Sequence, residues 1–469
     1  MDGPQMTARQ EQTEVLVLGG GMAGLCAAIS ALEKGAQVLI LEKGTRLGGS
    51  MWLSNGLIWT FADPGQVRKE IPDGDQALQD FLVDGLTDAL VWLVSQGVEL
   101  EPEQTFQWYG RGRQSNPAQM APVLVERVQA LGGRMLLGTA MQNLLTRDGA
   151  VTGVMAYDEQ GALEIRADAV ILATGGFQGN TELVARYITP YADSMYLRSN
   201  PCSTGDGFIA ALDIGAAVTP LLNTFYGHAL AAPPARFNAF QFQDMSQKYG
   251  RMAVALNLEG RRFADESAGT GEERLNFHLA SQPRATAVYI VDAAIAEMSS
   301  SRYNPAPRVA ISRARTAGGP IIDADNLDEL AEKLHAWGLP PLEVLKSLQA
   351  YNAAVKSGSG DRLQPARRGN AFALEKPPFT AVLVRAAITY TCGGLRADLD
   401  MRVLRRASSI SMLPMVTAEL SEIQTAAIPN LYVAGCDLGG FSNRGYMGGL
   451  SQALVTGRAA GTAAASAMV

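Results

Sequence analysis

The sequence predicts an α/β chain: a parallel sheet with an attached β-meander, assembled from both ends of the polypeptide, with a second, α+β unit inserted between them. Three short apolar strands carry this reading, and each runs straight into glycine. They are residues 14–18 ahead of Gly19, residues 169–173 ahead of Gly175 and Gly176, and residues 431–434 ahead of Gly435. At 469 residues the chain has room for two or three units and a large core. Its 39 Lys+Arg against 46 Asp+Glu leave a net charge of −7, the wrong balance for binding nucleic acid. No apolar run approaches the roughly 20 residues that span a bilayer. The N-terminal stretch is polar and lacks a signal core, so a cytoplasmic location is expected. Cys26, Cys202, Cys392 and Cys436 are scattered and form no CxxC, which points away from disulfides, metal sites and attached haem.

The first strand leads into Gly19-Gly20-Gly21-Met22-Ala23-Gly24 and then an apolar helical stretch over residues 25–32. Gly35 ends that helix, and residues 37–42 form the next strand. In this βαβ setting the glycine spacing is that of a Rossmann-like nucleotide fold. Gly19 permits the tight turn, Gly21 lets backbone approach a pyrophosphate, and Gly24 lets helix and strand pack closely. The unpaired N–H groups of the helix then face the phosphates. Glu42 closes the second strand, where a carboxylate accepts from ribose hydroxyls and disfavours a 2′-phosphate. A second glycine-rich segment follows, from Gly48-Gly49-Ser50 to Ser54-Asn55-Gly56. Simple dinucleotide binding does not need it; a longer cofactor with a flavin end does. Residues 152–165 alternate around a turn at 158–161, the pattern of a β-meander. Beyond Pro220 the sequence turns irregular and rich in Pro, Phe and Gln. Residues 326–355 then read as helices starting at an Asn326 N-cap, and residues 357–361 read as a linker.

Taken in order, these pieces resemble one family: the flavoprotein subunits and soluble relatives of fumarate reductase, with the 3-ketosteroid and tricarballylate dehydrogenases. The matching segments are GGGMAG…LEK, GGSMWLSNGLIW, ATGGF, STGDG at 203–207, NLEGRRFADE at 257–266, CGG at 392–394 and IPNLYVAG, spanning residues 14 to about 461. The resemblance implies a Rossmann-like FAD-binding domain made of residues 13–221 and 373–469, with a capping domain at 222–372. It places FAD against Gly19, Gly21, Met22, Ala23, Gly24, Glu42, Lys43, Gly48, Gly49, Ser50, Ser54, Asn55 and Gly56. Later contacts are Ala140, Ala173, Thr174, Gly175, Asp206, Gly435, Cys436, Gly449, Leu450 and Ser451. Membrane-bound members tie FAD to a histidine just past the second glycine segment. The three histidines here, His228, His278 and His335, all lie elsewhere, so FAD is expected to be non-covalent. No second glycine fingerprint offers an NAD(P)H site, so electrons are expected from an external donor, or leave to an external acceptor or oxygen.

Flavin chemistry at a C–C bond needs a hydride path, a proton-transfer group and a donor for the charge that builds on the activating carbonyl or carboxylate. Where fumarate reductases place a histidine and an arginine for the last task, this chain has Tyr390 and Tyr446. Ketosteroid dehydrogenases carry a tyrosine with nearby glycines at the second place, so Tyr446 with the N–H of Gly448 or Gly449 is expected to polarise a ketone oxygen, or else to pack on the flavin edge. The helix beginning at these glycines would favour negative charge on reduced flavin. For the proton, Arg274, assisted by Glu272 or Glu273, is one candidate and a surface ion pair its other reading. Tyr109 falls where an assisting tyrosine belongs, and His278 is a further base candidate.

The leading expectation is therefore an FAD-dependent oxidoreductase acting on the α,β-bond of a ketone or similarly activated small molecule, 3-ketosteroids among them. The alternative is a fumarate- or tricarballylate-type carboxylate oxidoreductase that clamps its substrate with Arg444, Arg274, Arg111 or Arg113. A flavin-binding protein without catalysis is the third reading.

Overall fold

The computed structural model describes residues 8–106, 109–298, 305–406, 426–442 and 445–468. An eight-stranded sheet forms the base. Its main path runs Arg402–Leu404, Ala427–Val433, Gly161–Leu172, Arg9–Leu18, Val38–Leu41, Arg134–Leu136. Four of its five junctions are parallel and the one at Arg402–Leu404 is antiparallel, with Val15 opposite both Val38 and Ala169, and Leu431 opposite Val170. The β-branched and leucine side chains at residues 15–18 and 38–41 are almost all buried, as expected of parallel strands covered on both faces. The meander is also present: Ala140–Arg147, Ala150–Asp158 and Gly161–Leu172 pair antiparallel in succession.

The two chain ends meet at a helix crossing. Helix Met22–Glu33 lies against helix Gly449–Ser466, and the contact is backbone on backbone. A Cβ on Gly457 would lie 2.4 Å from the Ala23 carbonyl oxygen, and one on Gly461 would lie 2.0 Å from that of Ala27. Only residues without side chains fit at that distance.

The inserted unit is built on a five-stranded antiparallel sheet in which Phe379–Arg385 pairs with Leu230–Ala231, Thr286–Val291 and Ile321–Ala324. Thr286–Val291 is wholly buried and pairs on its other side with Val254–Asn257. Helices Leu327–Leu334 and Pro341–Lys356 belong to this unit, and the Asn326 side chain accepts the Glu329 N–H at 2.8 Å, capping the first. Residues 379–385 fall beyond the 372 boundary read from the sequence, because an apolar strand joins whichever sheet offers it partners. The chain crosses back just afterwards through two short ladders, Ala387–Ile388 with Tyr196–Leu197 and Tyr390–Thr391 with Phe225–Tyr226.

Inside this unit Glu266 is fully buried between two arginines, Arg262 at 2.5 Å and Arg367 at 2.9 Å. Arg367 also donates to the carbonyls of Ala253, Arg251, Gly369 and Asn370, so its buried charge is surrounded by oxygen. Removing the carboxylate would leave two cations facing each other. Glu266→Ala is expected to lower stability by about 3–5 kcal/mol, measured as the shift of the urea unfolding midpoint; a loss below ~1 kcal/mol would show that the arginines are solvated by carbonyls alone.

Candidate active site

A cavity of about 860 Å³ runs from the glycine loop of the base to the underside of the inserted unit. At one end helix Met22–Glu33 begins at Gly21 with no side-chain cap, leaving its first N–H groups free to face an anion. Gly24 makes this geometry possible, since a Cβ there would lie 1.8 Å from the Gly19 carbonyl oxygen. Glu42 is buried and each carboxylate oxygen takes one backbone N–H, from Gly20 at 2.9 Å and from Gly44 at 2.6 Å. Further lone pairs remain for a ribose. Lys43 reaches across to Asp206 at 2.7 Å, tying this corner to the STGDG segment. Gly48 N–H donates to the Gly20 carbonyl at 2.7 Å, so the second glycine segment is anchored to the first.

Midway along the cavity a buried carboxylate fastens the late part of the chain to the centre. Asp437 accepts the Thr174 Oγ1 hydrogen at 2.8 Å and the Gly176 N–H at 2.9 Å. Burial raises its pKa, and these hydrogen bonds oppose the rise. The result is a smooth passage lined by Ala173, Gly175, Gly435 and Cys436. Small residues, hydroxyls and free helix N–H groups along one extended cleft fit FAD.

The far end is aromatic. Tyr226 and Tyr390 are opposite one another in their ladder, which brings the rings to 5.4 Å. Tyr446 stacks on Tyr226 at 3.8 Å, nearly parallel, and Trp59 meets Tyr446 edge-on at 5.5 Å. Burial raises the phenols of Tyr226, Tyr390 and Tyr446, the last to about 12, so all three are protonated at neutral pH. His228, two residues along from Tyr226 and so on the same face, places Nε2 3.1 Å from the Tyr226 hydroxyl. Its Nδ1 is 2.8 Å from Glu272 Oε2, while Tyr289 donates to Glu272 Oε1 at 2.7 Å. Burial pushes Glu272 well above the usual carboxylate range and His228 well below the usual imidazole range, each toward its neutral form.

Three cations line the same region. Arg198 is 2% exposed and donates to Thr389 at 2.7 Å and Ser246 at 3.2 Å. Arg251 is engaged by the carbonyls of Thr270 and Ser267. Lys248 makes no hydrogen bond among the described residues, and burial with the nearby Arg198 lowers its pKa to about 8. Glu272 and Glu273 stand close to all three.

Most of the expected cofactor residues line this cavity: Gly19, Gly21, Met22, Ala23, Glu42, Lys43, Gly49, Ser50, Ser54, Asn55, Ala173, Thr174, Gly175, Asp206, Gly435, Cys436, Gly449 and Leu450. Gly24, Gly48, Gly56, Ala140, Gly448 and Ser451 stand behind it; Ser451 instead donates to the Trp59 carbonyl. Of the reacting residues, Tyr109, Tyr390 and Tyr446 line the wall. The Gly449 N–H does not point into the cavity alongside Tyr446; it donates to the Tyr446 hydroxyl itself at 3.2 Å. Arg274 packs against Gly269 outside the wall, and Arg111 and Arg113 donate to backbone carbonyls of residues 83, 100 and 101. None of these three arginines reaches the cavity, nor does His278. Arg444 lies outside the described residues. Sequence reasoning missed Tyr226, Arg198 and Lys248, and named His228 and Glu272 only for other reasons; the alternation Tyr226-x-His228 was the one local signal. Among the described residues no cluster of His, Cys, Asp and Glu is arranged for a metal, and no helix is long and apolar enough to cross a membrane.

Comparison with known proteins agrees with this geometry. The FAD binding domain family model matches residues 14–451. A probable fumarate reductase, Ifc3 of Shewanella frigidimarina, is 26% identical across 97% of this chain and 75% of its own length. The vinyl phenol reductase of Lactiplantibacillus plantarum is 27% identical across 94% and 92%. Among solved structures, the 3-ketosteroid-Δ4-(5α)-dehydrogenase from Rhodococcus jostii shares the fold at a TM-score of 0.70, with 21% identity and 98% of both chains covered. The chain belongs to the FAD binding domain family, and FAD is its cofactor.

The glycine-loop geometry is testable through flavin retention. Gly24→Val forces a side chain against the Gly19 carbonyl, and FAD affinity is expected to fall roughly 10- to 100-fold, read from the 450 nm absorbance of purified protein. A fully yellow variant would place the cofactor elsewhere.

Proposed function

We propose that this member of the FAD binding domain family is an oxidoreductase that adds two hydrogens to, or removes them from, the α,β-bond of a ketone or similarly activated small molecule, steroid-like ketones included. The observation that carries this reading is the wall of uncharged phenols, Tyr226, Tyr390 and Tyr446, where the flavin end of the cavity lies. Bound FAD, held without a covalent bond, supplies or accepts the hydride, and an external partner closes the electron cycle.

The protein's own part is to orient the substrate and to stabilise charge on its activating oxygen. A neutral phenol donates to a carbonyl oxygen more strongly as negative charge builds there, which favours the transition state over the bound substrate. Tyr446 is suited to that task because the Gly449 N–H donates to its hydroxyl oxygen. Such a bond polarises the phenol and strengthens the bond it makes onward. The glycine amide thus acts through the tyrosine instead of beside it. Trp59, Phe106 and Tyr109 supply an apolar floor that excludes water and suits a ring-containing substrate.

One observation favours the carboxylate alternative, namely Lys248 with its unengaged ammonium facing the cavity. Against it, Arg198 and Arg251 each already give two donors to the protein, and Glu272 and Glu273 line the cavity beside the three cations. A dicarboxylate needs two free cationic groups.

Anaerobic reoxidation of dithionite-reduced enzyme separates the two. Cyclic enones, including 3-keto-4-ene steroids, are expected to restore the flavin absorbance, and turnover of fumarate alone would sink the ketone reading. Tyr446→Phe is expected to lower kcat about 100-fold with flavin content unchanged, the typical cost of losing one oxyanion donor.

A further inference from the structure

We propose that Tyr226 exchanges the substrate proton, and that His228 and Glu272 are the relay that restores it. The inference rests on the two-hydrogen reading above and adds the group which that reading lacks, since Arg274 is not in the cavity wall.

Four side chains form a continuous hydrogen-bonded line from the cavity into the core: Tyr226 hydroxyl to His228 Nε2 at 3.1 Å, His228 Nδ1 to Glu272 Oε2 at 2.8 Å, and Tyr289 hydroxyl to Glu272 Oε1 at 2.7 Å. Tyr226, His228 and Glu272 line the cavity, and Tyr289 is buried behind them. The line has two complete hydrogen-bonding arrangements. With Glu272 protonated, its O–H donates to Nδ1, the Nε2–H donates to the phenol oxygen, and the phenol hydrogen is left free for a substrate carbon. With Glu272 ionised, Nδ1–H donates to the carboxylate and Nε2 accepts the phenol hydrogen. Passing from one to the other moves a proton along the line without leaving a charged imidazole behind.

In the reducing direction the substrate's C=C π bond opens. The hydride delivered by reduced FAD bonds to one carbon with both electrons, and the Tyr226 O–H breaks to give its proton to the neighbouring carbon. The phenolate then takes the Nε2 proton of His228, and Nδ1 takes the proton of Glu272. The carboxylate left behind is held by Tyr289 and the Ala229 N–H until water reprotonates it. Dehydrogenation is the same sequence reversed.

The surroundings favour this path. The nearby Arg198 charge opposes the rise that burial imposes on Tyr226 and so stabilises its phenolate. Arg198 and Lys248 together disfavour an imidazolium at His228. Glu273 and the Tyr446 phenol oppose charge on Tyr226, Glu266 opposes it on Tyr289, and Tyr390, Tyr249 and Asp244 are further titratable groups around the line.

Two readouts test the proposal. Because the chain has three histidines, ¹⁵N-histidine NMR can follow His228 without substrate. Its proton is expected to move from Nε2 to Nδ1 as rising pH ionises Glu272, and Glu272→Gln is expected to hold it on Nε2 throughout, because an amide can donate to Nδ1 but cannot ionise. An imidazole that becomes cationic near its ordinary pKa, or that keeps one tautomer in the unmodified protein, overturns the relay. The second readout is reoxidation of the reduced flavin by an activated alkene. Tyr226→Phe preserves the ring stacked on Tyr446, and is expected to slow reoxidation about 10²- to 10⁴-fold at unchanged flavin content. Glu272→Gln is expected to remove the fall in rate that the unmodified protein shows as pH rises. A Tyr226→Phe enzyme within about threefold of the unmodified rate, with the same pH profile, overturns the assignment of Tyr226. If no alkene reoxidises the unmodified enzyme, the two-hydrogen reading fails instead, and the tautomer measurement alone decides the relay.

Discussion

A single buried carboxylate holds the two halves of the cofactor cleft in register. Asp437 comes from the last part of the chain, yet its oxygens satisfy the backbone and hydroxyl donors of the Thr174–Gly176 turn at the end of the central strand. Such donors would otherwise be stranded in a dry interior at a cost of about 1–3 kcal/mol each. Binding them to a residue more than 250 positions away in sequence means that the turn is complete only when both ends of the chain have folded together. The parallel strand Ala427–Val433, the turn at Gly435 and the helix beginning at Gly449 are thereby delivered to the same wall, and the reacting end inherits its geometry from that alignment.

At that end the fold gathers phenols beside three cations, Arg198, Arg251 and Lys248. Arg198 and Arg251 give donors to hydroxyls and carbonyls, and two glutamates stand among them. Burial drives the phenols, the glutamates and His228 toward their neutral forms, so the region is polar and rich in transferable protons. That combination suits chemistry in which charge appears only briefly, on a substrate oxygen or a phenol.

The parts of this architecture that were legible in the sequence are those set by local backbone geometry. The glycine loop, Glu42 at the end of the second strand, the meander and the Asn326 cap each depend on a few consecutive residues, and each is found where those residues predict it. The boundary of the inserted unit was harder, because nothing in Phe379–Arg385 says which of two sheets it joins. The proton-carrying line was hidden for a related reason. Tyr226 meets Tyr390 across a two-residue ladder, and His228 meets Glu272 across 44 positions of irregular chain, so the grouping exists only in the tertiary structure. The arginines were misjudged because a guanidinium looks free in a sequence until the carbonyls that occupy it are seen.

The crossing of helices Met22–Glu33 and Gly449–Ser466 reaches beyond packing. Glycine inside a helix costs up to about 1 kcal/mol relative to alanine, and Gly457 and Gly461 offset it by letting the partner's carbonyls touch bare backbone. These positions are far from any reacting atom, yet even one added methyl would push the terminal helix outward, and with it the amide of Gly449 that steadies Tyr446. A packing change at Gly457 or Gly461 would therefore be felt at the reacting end through the length of the helix, although neither residue lines the cavity.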